Sequence, residues 1–128
     1  MKTERMIVVI GRVTREGDPG RERHRHVPVL SIIRIHKRYV KGLDGLKAGD
    51  YVDVVYLFHK SKRRCLTGMV LSGEEKGIFA TRSPARPSKI GITRVMLHAV
   101  NDHELVVSGL DAMRGSPVID IKPCDRIT

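Results

Sequence analysis

Tryptophan is absent, and two Phe and three Tyr are the only aromatic residues among 128. Proteins that hold single-stranded nucleic acid without performing chemistry want aromatic platforms for the bases, so this supply argues against a purely non-catalytic strand binder. Cysteine is as scarce. Cys65 and Cys124 stand in no metal-ligand spacing, which gives no sign of a structural zinc or a disulfide scaffold and points to a reducing compartment. No stretch approaches the ~20 apolar residues that a membrane-crossing helix requires, and the first residues lead into a short β-like run rather than an apolar signal core. No amphipathic basic helix is visible either, which argues against a membrane surface as partner. Finally, the glycines follow no G-x-G-x-x-G spacing, so a dinucleotide-type cofactor fold is not indicated. The expectation is a soluble cytoplasmic protein with neither metal nor membrane partner.

What the chain does have is the rhythm of an all-β protein. Short apolar or alternating runs separated by Gly, Pro, Asn and Asp recur along almost the whole length, which predicts a sandwich or barrel. Strands are expected over residues 6–13, 29–36, 51–58, 66–71, 77–81, 92–100, 104–108 and 118–121. Over 92–100, Thr93, Val95, Leu97 and Ala99 alternate with Ile92, Arg94, Met96 and His98, so one set faces the core. Asn101-Asp102 reads as the tip of a hairpin into Glu104. A chain of this length forms one domain, residues 1–128, and buries roughly two-thirds of its unfolded surface without help from a metal. We expect a small closed or partly open β-barrel with one long basic loop.

The net charge is +10, from 24 Lys and Arg against 14 Asp and Glu. It is uneven: residues 95–128 hold three bases and five acids, so the first 94 carry +12. That asymmetry is the footprint of a polyanion-binding face, and nucleic acid is the expected partner. Three patches supply it. One runs through Arg21, Arg23 and Arg25, with Lys37, Arg38 and Lys41 beyond; a second is Lys60-Ser-Lys62-Arg63-Arg64; the third gathers Arg82, Arg86, Lys89 and Arg94. Arg21, Arg23 and Arg25 lie in residues 14–28, which contain no apolar run and predict a long exposed loop, either a basic arm that orders on RNA or a solvated insertion.

Residues 77–91, Gly-Ile-Phe-Ala-Thr-Arg-Ser-Pro-Ala-Arg-Pro-Ser-Lys-Ile-Gly, carry the strongest local signal. Pro84 and Pro87 fix their own φ, and Ser83 and Arg86, each preceding a proline, are pushed out of helical conformations. Arg82 and Arg86 are therefore held at set positions, where a guanidinium fork suits a carboxylate or phosphate; the alternative is a rigid surface turn whose arginines pair with carboxylates.

The wording of this loop, with Ser108-Gly-Leu-Asp111 and Arg114-Gly-Ser-Pro-Val-Ile-Asp-Ile-Lys-Pro123, resembles the TsaA-like, or TrmO, family of β-barrel tRNA methyltransferases. Ile10-Gly-Arg-Val13 and Leu57-Phe-His59 are similar to that family's first strand and its hydrophobic-His strand end. The resemblance implies methyl transfer from S-adenosylmethionine to the N6-threonylcarbamoyl-adenosine beside the anticodon of a tRNA, by a homodimer. It implies cofactor contacts at His59, Lys60, Arg82, Ile92, Ser108, Gly109, Leu110 and Asp111, with Arg82 on the methionine carboxylate and Asp111 on the ribose hydroxyls. It also implies the catalytic barrel alone, without the additional carboxy-terminal domain of the bacterial members.

Candidate RNA contacts are Arg21, Arg23, Arg25, Lys62, Arg63, Arg64, Arg86 and Lys89. Proton removal from the acceptor nitrogen falls to Asp111, Asp120 or His59, among which the sequence does not choose. Asp120 is expected to face opposite to Ile119 and Ile121, with Arg82, Arg86 or Lys122 as partner, and His59 has a purely structural strand-end role as its alternative. The chain departs from the family's pattern at Ser88-Lys89, Arg114 and Cys124, and Lys60 adds a charge beside His59; these changes bear on the methyl acceptor. The alternatives from other classes are a non-catalytic RNA-binding barrel and a family member with a different acceptor.

Overall fold

The computed structural model describes residues 5–17 and 29–124. Among the described residues, eight strands follow one another: β1 Gly11–Arg15, β2 Leu30–Ile35, β3 Tyr51–Leu57, β4 Thr67–Met69, β5 Glu75–Gly77, β6 Ile90–Asn101, β7 Glu104–Ser108 and β8 Pro117–Pro123. Six of them close into a barrel in the order β1-β2-β7-β6-β3-β8, and β4 and β5 form a separate hairpin. Every barrel pairing is antiparallel. Alternation in β6 does what the sequence predicts, and β3 follows the same rule: Val52, Val54, Tyr56, Val95 and Leu97 are buried and point inward. Val13, Ile33, Ile35, Leu105, Val107 and Val118 complete the filling. Each such aliphatic side chain contributes about 1.5–3 kcal/mol by leaving water.

Antiparallel closure sorts the loops. β1, β3 and β7 end on one rim, here called upper, and β2, β6 and β8 begin there. The upper rim thus receives the chain from 58 to 89 and from 109 to 116. The lower rim receives a 3-10 turn, Lys37–Leu43, and the hairpin tip at Asp102, whose positive φ of 55° fits the predicted turn.

Several expectations are corrected. Residues 77–81 are no strand: β5 ends at Gly77 and a 3-10 turn spans Ile78–Ala80. Only Ile78 is buried there, while Phe79 is 80% exposed, so the segment buries one side chain by turning rather than alternating ones by extending. The first strand starts at Gly11, not at residue 6, and Met6, Ile7 and Val8 are exposed. Between residues 5 and 10, Ile10 alone makes ladder-like bonds, donating to Val118 O and accepting from His36 N, both at 2.8 Å. The loop predicted to begin at residue 14 begins later, since Thr14 and Arg15 belong to β1. Arg21, Arg23 and Arg25 lie outside the described residues, as does most of that basic loop.

Candidate functional site

Four of the motifs singled out in the described part of the sequence reach the upper rim, while Ile10-Gly-Arg-Val13 begins at the lower one. Leu57-Phe-His59 ends β3, the proline loop leads into β6, Ser108 ends β7, and Arg114-Gly-Ser-Pro117 leads into β8. Hydrogen bonds join them in pairs.

The proline loop is fastened to the chain after β3. Ser61 Oγ donates to Pro84 O at 3.1 Å, Arg64 Nε to Pro87 O at 3.3 Å, and Cys65 N to Ala85 O at 2.9 Å. Lys89 Nζ donates to Ser61 O, and Phe58 N donates to Lys89 O at 2.9 Å. Two predicted RNA contacts, Arg64 and Lys89, therefore also bind the rim's own backbone. Arg86 does so more completely, with one terminal nitrogen donating to Thr81 O at 2.8 Å and Ser83 O at 3.2 Å. Arg82 differs: it is exposed and makes no hydrogen bond or ion pair among the described residues. Lys60, Lys62 and Arg63 are exposed as well.

The second pair joins His59 to the turn before β8. His59 Nδ1 lies 3.4 Å from Ser116 Oγ, a hydroxyl whose residue is only 2% exposed. Gly115 holds a φ of 88°, and a Cβ on it would stand 3.5 Å from His59 Nε2. This turn is anchored to β1, with Gly115 N donating to Val13 O at 2.7 Å and Arg114 N to a Glu16 carboxylate oxygen at 2.8 Å.

The third junction lies on β6. β7 leaves β6 after Ser108 pairs with Met96, so the edge of β6 nearer the upper rim is uncovered by β7 and open to residues 109–111. Gly109 uses it: at φ 91°, its Cβ position lies 3.4 Å from Arg94 O. A residue with a side chain is strained at that φ, which is why glycine stands there. Ile92, two residues along β6, faces outward at 46% exposure and leaves an apolar surface beside this turn. Leu110 packs partly on the core. Asp111 is exposed, and its charge reaches the phenol of Tyr56. Burial chiefly, and then Asp111, push that phenol's pKa above its ordinary value, against a hydrogen bond to Thr93 Oγ1 at 3.1 Å.

Asp120 stands apart from this rim. A bulge at Ile119 rephases β8, so that Val118 and Ile121 both meet the core while Asp120 sits opposite Val55 on the outer wall. Its carboxylate pairs with Lys122 at 2.6 Å, which selects one of the three partners expected for it. Cys124 also lies on this wall; its thiol donates to Asp53 Oδ1 at 3.3 Å, and burial, then Asp53, raise its pKa.

Sequence reasoning missed His98 as a partner of the site. It is the extra residue of a bulge between Leu97 and Ala99, and the bulge aims its Nε2 at Ser108 Oγ, 2.9 Å away. Counting pairs outward from the hairpin tip would have brought the two within a residue of each other, without revealing the bulge. Two open depressions, of about 570 and 470 Å3, lie at the lower rim, lined by residues such as Leu43 and Asp102, and His36 and Tyr39. Neither contains a residue of the rim motifs, although Lys37, Arg38 and Lys41, which extend the first basic patch, line them. Chemistry rather than depth marks the upper rim as the site.

Fold and rim together define a small closed antiparallel barrel whose polar motif loops gather at one end. Residues 14–126 match the model of the tRNA-methyltransferase O N-terminal domain, and the chain belongs to the TrmO family. A probable S-adenosyl-L-methionine-binding protein of Methanocaldococcus jannaschii is 39% identical over 99 residues, covering 72% of this chain and 79% of that one. The human tRNA (adenine(37)-N6)-methyltransferase is 37% identical over 99 residues, which are 71% of this chain and 22% of the human protein. The crystal structure of TrmO from Pseudomonas aeruginosa superposes with a TM-score of 0.70 at 26% identity, covering 94% of this chain and 56% of that one. The chain thus spans just over half of that structure and about a fifth of the human enzyme.

Proposed function

We propose that this protein is an S-adenosylmethionine-dependent methyltransferase acting at adenine 37 of tRNA, and that its acceptor is the N6-threonylcarbamoyl form of that base. The convergence of the motif loops on one rim carries the reading. Support comes from relatives named as S-adenosyl-L-methionine-binding proteins and as tRNA (adenine(37)-N6)-methyltransferases. The homodimer rests on the resemblance alone, and the cytoplasmic location on the sparse cysteines, which stand in no disulfide or metal pattern.

The residues present fit the cofactor. An exposed guanidinium at Arg82 suits the methionine carboxylate, the apolar face of Ile92 suits an adenine, and the glycine at 109 lets backbone groups come close. His59, Lys60, Ser108, Leu110 and Asp111 flank these groups on the same rim, with Asp111 assigned to the ribose hydroxyls. When bound, the cofactor supplies an electrophilic methyl group. The chain's own work is to hold the acceptor nitrogen in line, exclude water, and take up the proton that nitrogen loses. Asp111 and His59 are rim groups able to receive it. Asp120 faces the outer wall with Lys122 already on its carboxylate. Lys62, Arg63, Arg64, Arg86 and Lys89 add positive charge around the rim for RNA phosphates.

The test is transfer of labelled methyl to tRNA that carries threonylcarbamoyl-adenosine and to the same tRNA without it. The reading expects labelling of the modified RNA only, because cationic donors shaped for a carboxylate-bearing substituent are left unpaired when it is missing. Equal labelling would refute the acceptor. No labelling of either RNA, with the cofactor bound, would point to a different acceptor or a binding protein.

A further inference from the structure

Resting on the assignment of Arg82 to the cofactor carboxylate, we infer that Arg86 is the positioning residue of that clamp and acts by holding the backbone on both sides of Arg82. The sequence offers two equivalent arginines in one rigid loop. The structure separates them. Arg86 is half-buried and turns one terminal nitrogen inward onto Thr81 O at 2.8 Å and Ser83 O at 3.2 Å, the two carbonyls that bracket residue 82. A guanidinium nitrogen carries two N–H groups in one plane, so a single nitrogen serves both acceptors. Arg82 remains exposed, its own donors unclaimed among the described residues.

Other fasteners of the loop do not reach this stretch. Ser61, Cys65, Arg64 and Phe58 bind the carbonyls of Pro84, Ala85, Pro87 and Lys89, all beyond residue 83. Locally, the Thr81 hydroxyl and amide both donate to Ile78 O, and Ser83 N donates to Thr81 Oγ1 at 3.3 Å. These bonds close the turn at Thr81 but leave the Ser83 carbonyl free. Ser83 N on Thr81 Oγ1 is one link across the stretch, and Arg86 adds the link between its two carbonyls, those of Thr81 and Ser83. A residue whose backbone is fixed before the ligand arrives does not lose that freedom on binding. Fixing one residue's backbone at the moment of binding would weaken the complex by about five- to thirtyfold.

The experiment measures S-adenosylmethionine affinity by calorimetry for Arg82→Ala and Arg86→Ala, and amide hydrogen exchange in both free variants. Arg82→Ala should abolish binding and leave exchange at Ser83 and Ala85 as in the parent. Arg86→Ala should weaken binding about five- to thirtyfold and speed exchange at Ser83 and Ala85, with exchange in β3 and β6 unchanged. If Arg86→Ala does not fold, Arg86→Lys, which keeps the charge on a nitrogen without the planar fork, is expected to show the same two changes. Parental affinity in the folded Arg86 variant would overturn the positioning role, and so would weak binding with unchanged exchange, which would mean direct contact with the ligand. Parental affinity in Arg82→Ala would remove the clamp itself, and the role of Arg86 with it.

Discussion

Gly91 couples the barrel core to the site, and Gly91→Ala tests that coupling. Gly91 pairs with Tyr56 across β3 and β6. An added Cβ would lie 2.7 Å from Phe58 Cζ, and 2.9 and 3.0 Å from Tyr56 Cζ and Cε2. Carbon atoms rest at about 3.5–4.0 Å, so one ring has to move by most of an ångström. Tyr56 cannot yield easily: it is 3% exposed, and its hydroxyl is held by Thr93 at 3.1 Å. Phe58 is half-buried, meets Tyr56 edge-on with centroids 5.4 Å apart, and stands just beyond β3, so it is the ring that gives way. Overpacking of this kind costs about 1–3 kcal/mol, which for a chain of 128 residues lowers the melting temperature by roughly 4–12 °C.

The displacement does not stop at Phe58. Its amide is bonded to Lys89 O at 2.9 Å, and His59 is the next residue, so both the proline loop and the contact between His59 and Ser116 are disturbed. Thermal unfolding monitored by circular dichroism, with calorimetric cofactor titration, should show both losses together. Adding Phe58→Leu, which opens space beside the new methyl, should return at least half of the lost stability. Gly77→Ala is the control, since a Cβ there meets nothing within 4 Å, and it should stay within about 0.5 kcal/mol of the parent. A Gly91→Ala protein that melts and binds like the parent would refute the account.

Two further outcomes are expected. Tyr56, its pKa raised by burial and then by Asp111, should ionise above an ordinary phenol in an ultraviolet titration. Its contribution to stability is complete below the unfolded tyrosine pKa and is lost as pH rises through the folded one, so Tyr56→Phe should lessen alkaline unfolding; a Tyr56 that titrates normally would contradict its burial. At the RNA face, Lys62→Gln with Arg63→Gln should reduce the slope of log affinity against log salt by about 1.4–1.8 while cofactor affinity holds, and an unchanged slope would return these side chains to plain surface.

Two strands and one turn were legible in the sequence. β7 spans Glu104–Ser108 as expected, β3 ends one residue early, and the turn at Asn101-Asp102 is where the hairpin reverses. In β6 one alternating set turns inward as expected, at Val95 and Leu97, until the bulge at His98 breaks it. What the sequence could not show depends on a second strand. The bulges at His98 and Ile119 are visible only as a mismatch in register between paired strands, and the first aims His98 at Ser108. The apolar residues of 77–81 read as an extended run, but a 3-10 turn buries Ile78 alone and leaves Phe79 outside. The two arginines of the proline loop were likewise indistinguishable by type. Only the positions of the Thr81 and Ser83 carbonyls assign one inward and leave the other outward.

The size of the barrel dictates where the chemistry can be. About eight strands enclose an interior just wide enough for side chains or one small ligand, and this barrel has six. Its inside is taken up by residues such as Ile33, Val54, Leu97, Leu105, Val107 and Val118, each at 0% exposure. A cofactor has no place there, so binding groups have to stand on a rim or on a strand edge. The lower rim is not equipped for it, because its connections carry none of the motifs. The upper rim has the motif loops, the left-handed glycines at 109 and 115, and a length of β6 that β7 leaves uncovered, whereas the lower rim's left-handed glycines, at 45 and 49, stand on a connection without a motif. An open rim of this kind excludes little water by itself. A substrate as large as a folded RNA, drawn in by the positive charge around the rim, would supply the missing wall, so methyl transfer here should depend on the whole RNA rather than on a free nucleoside.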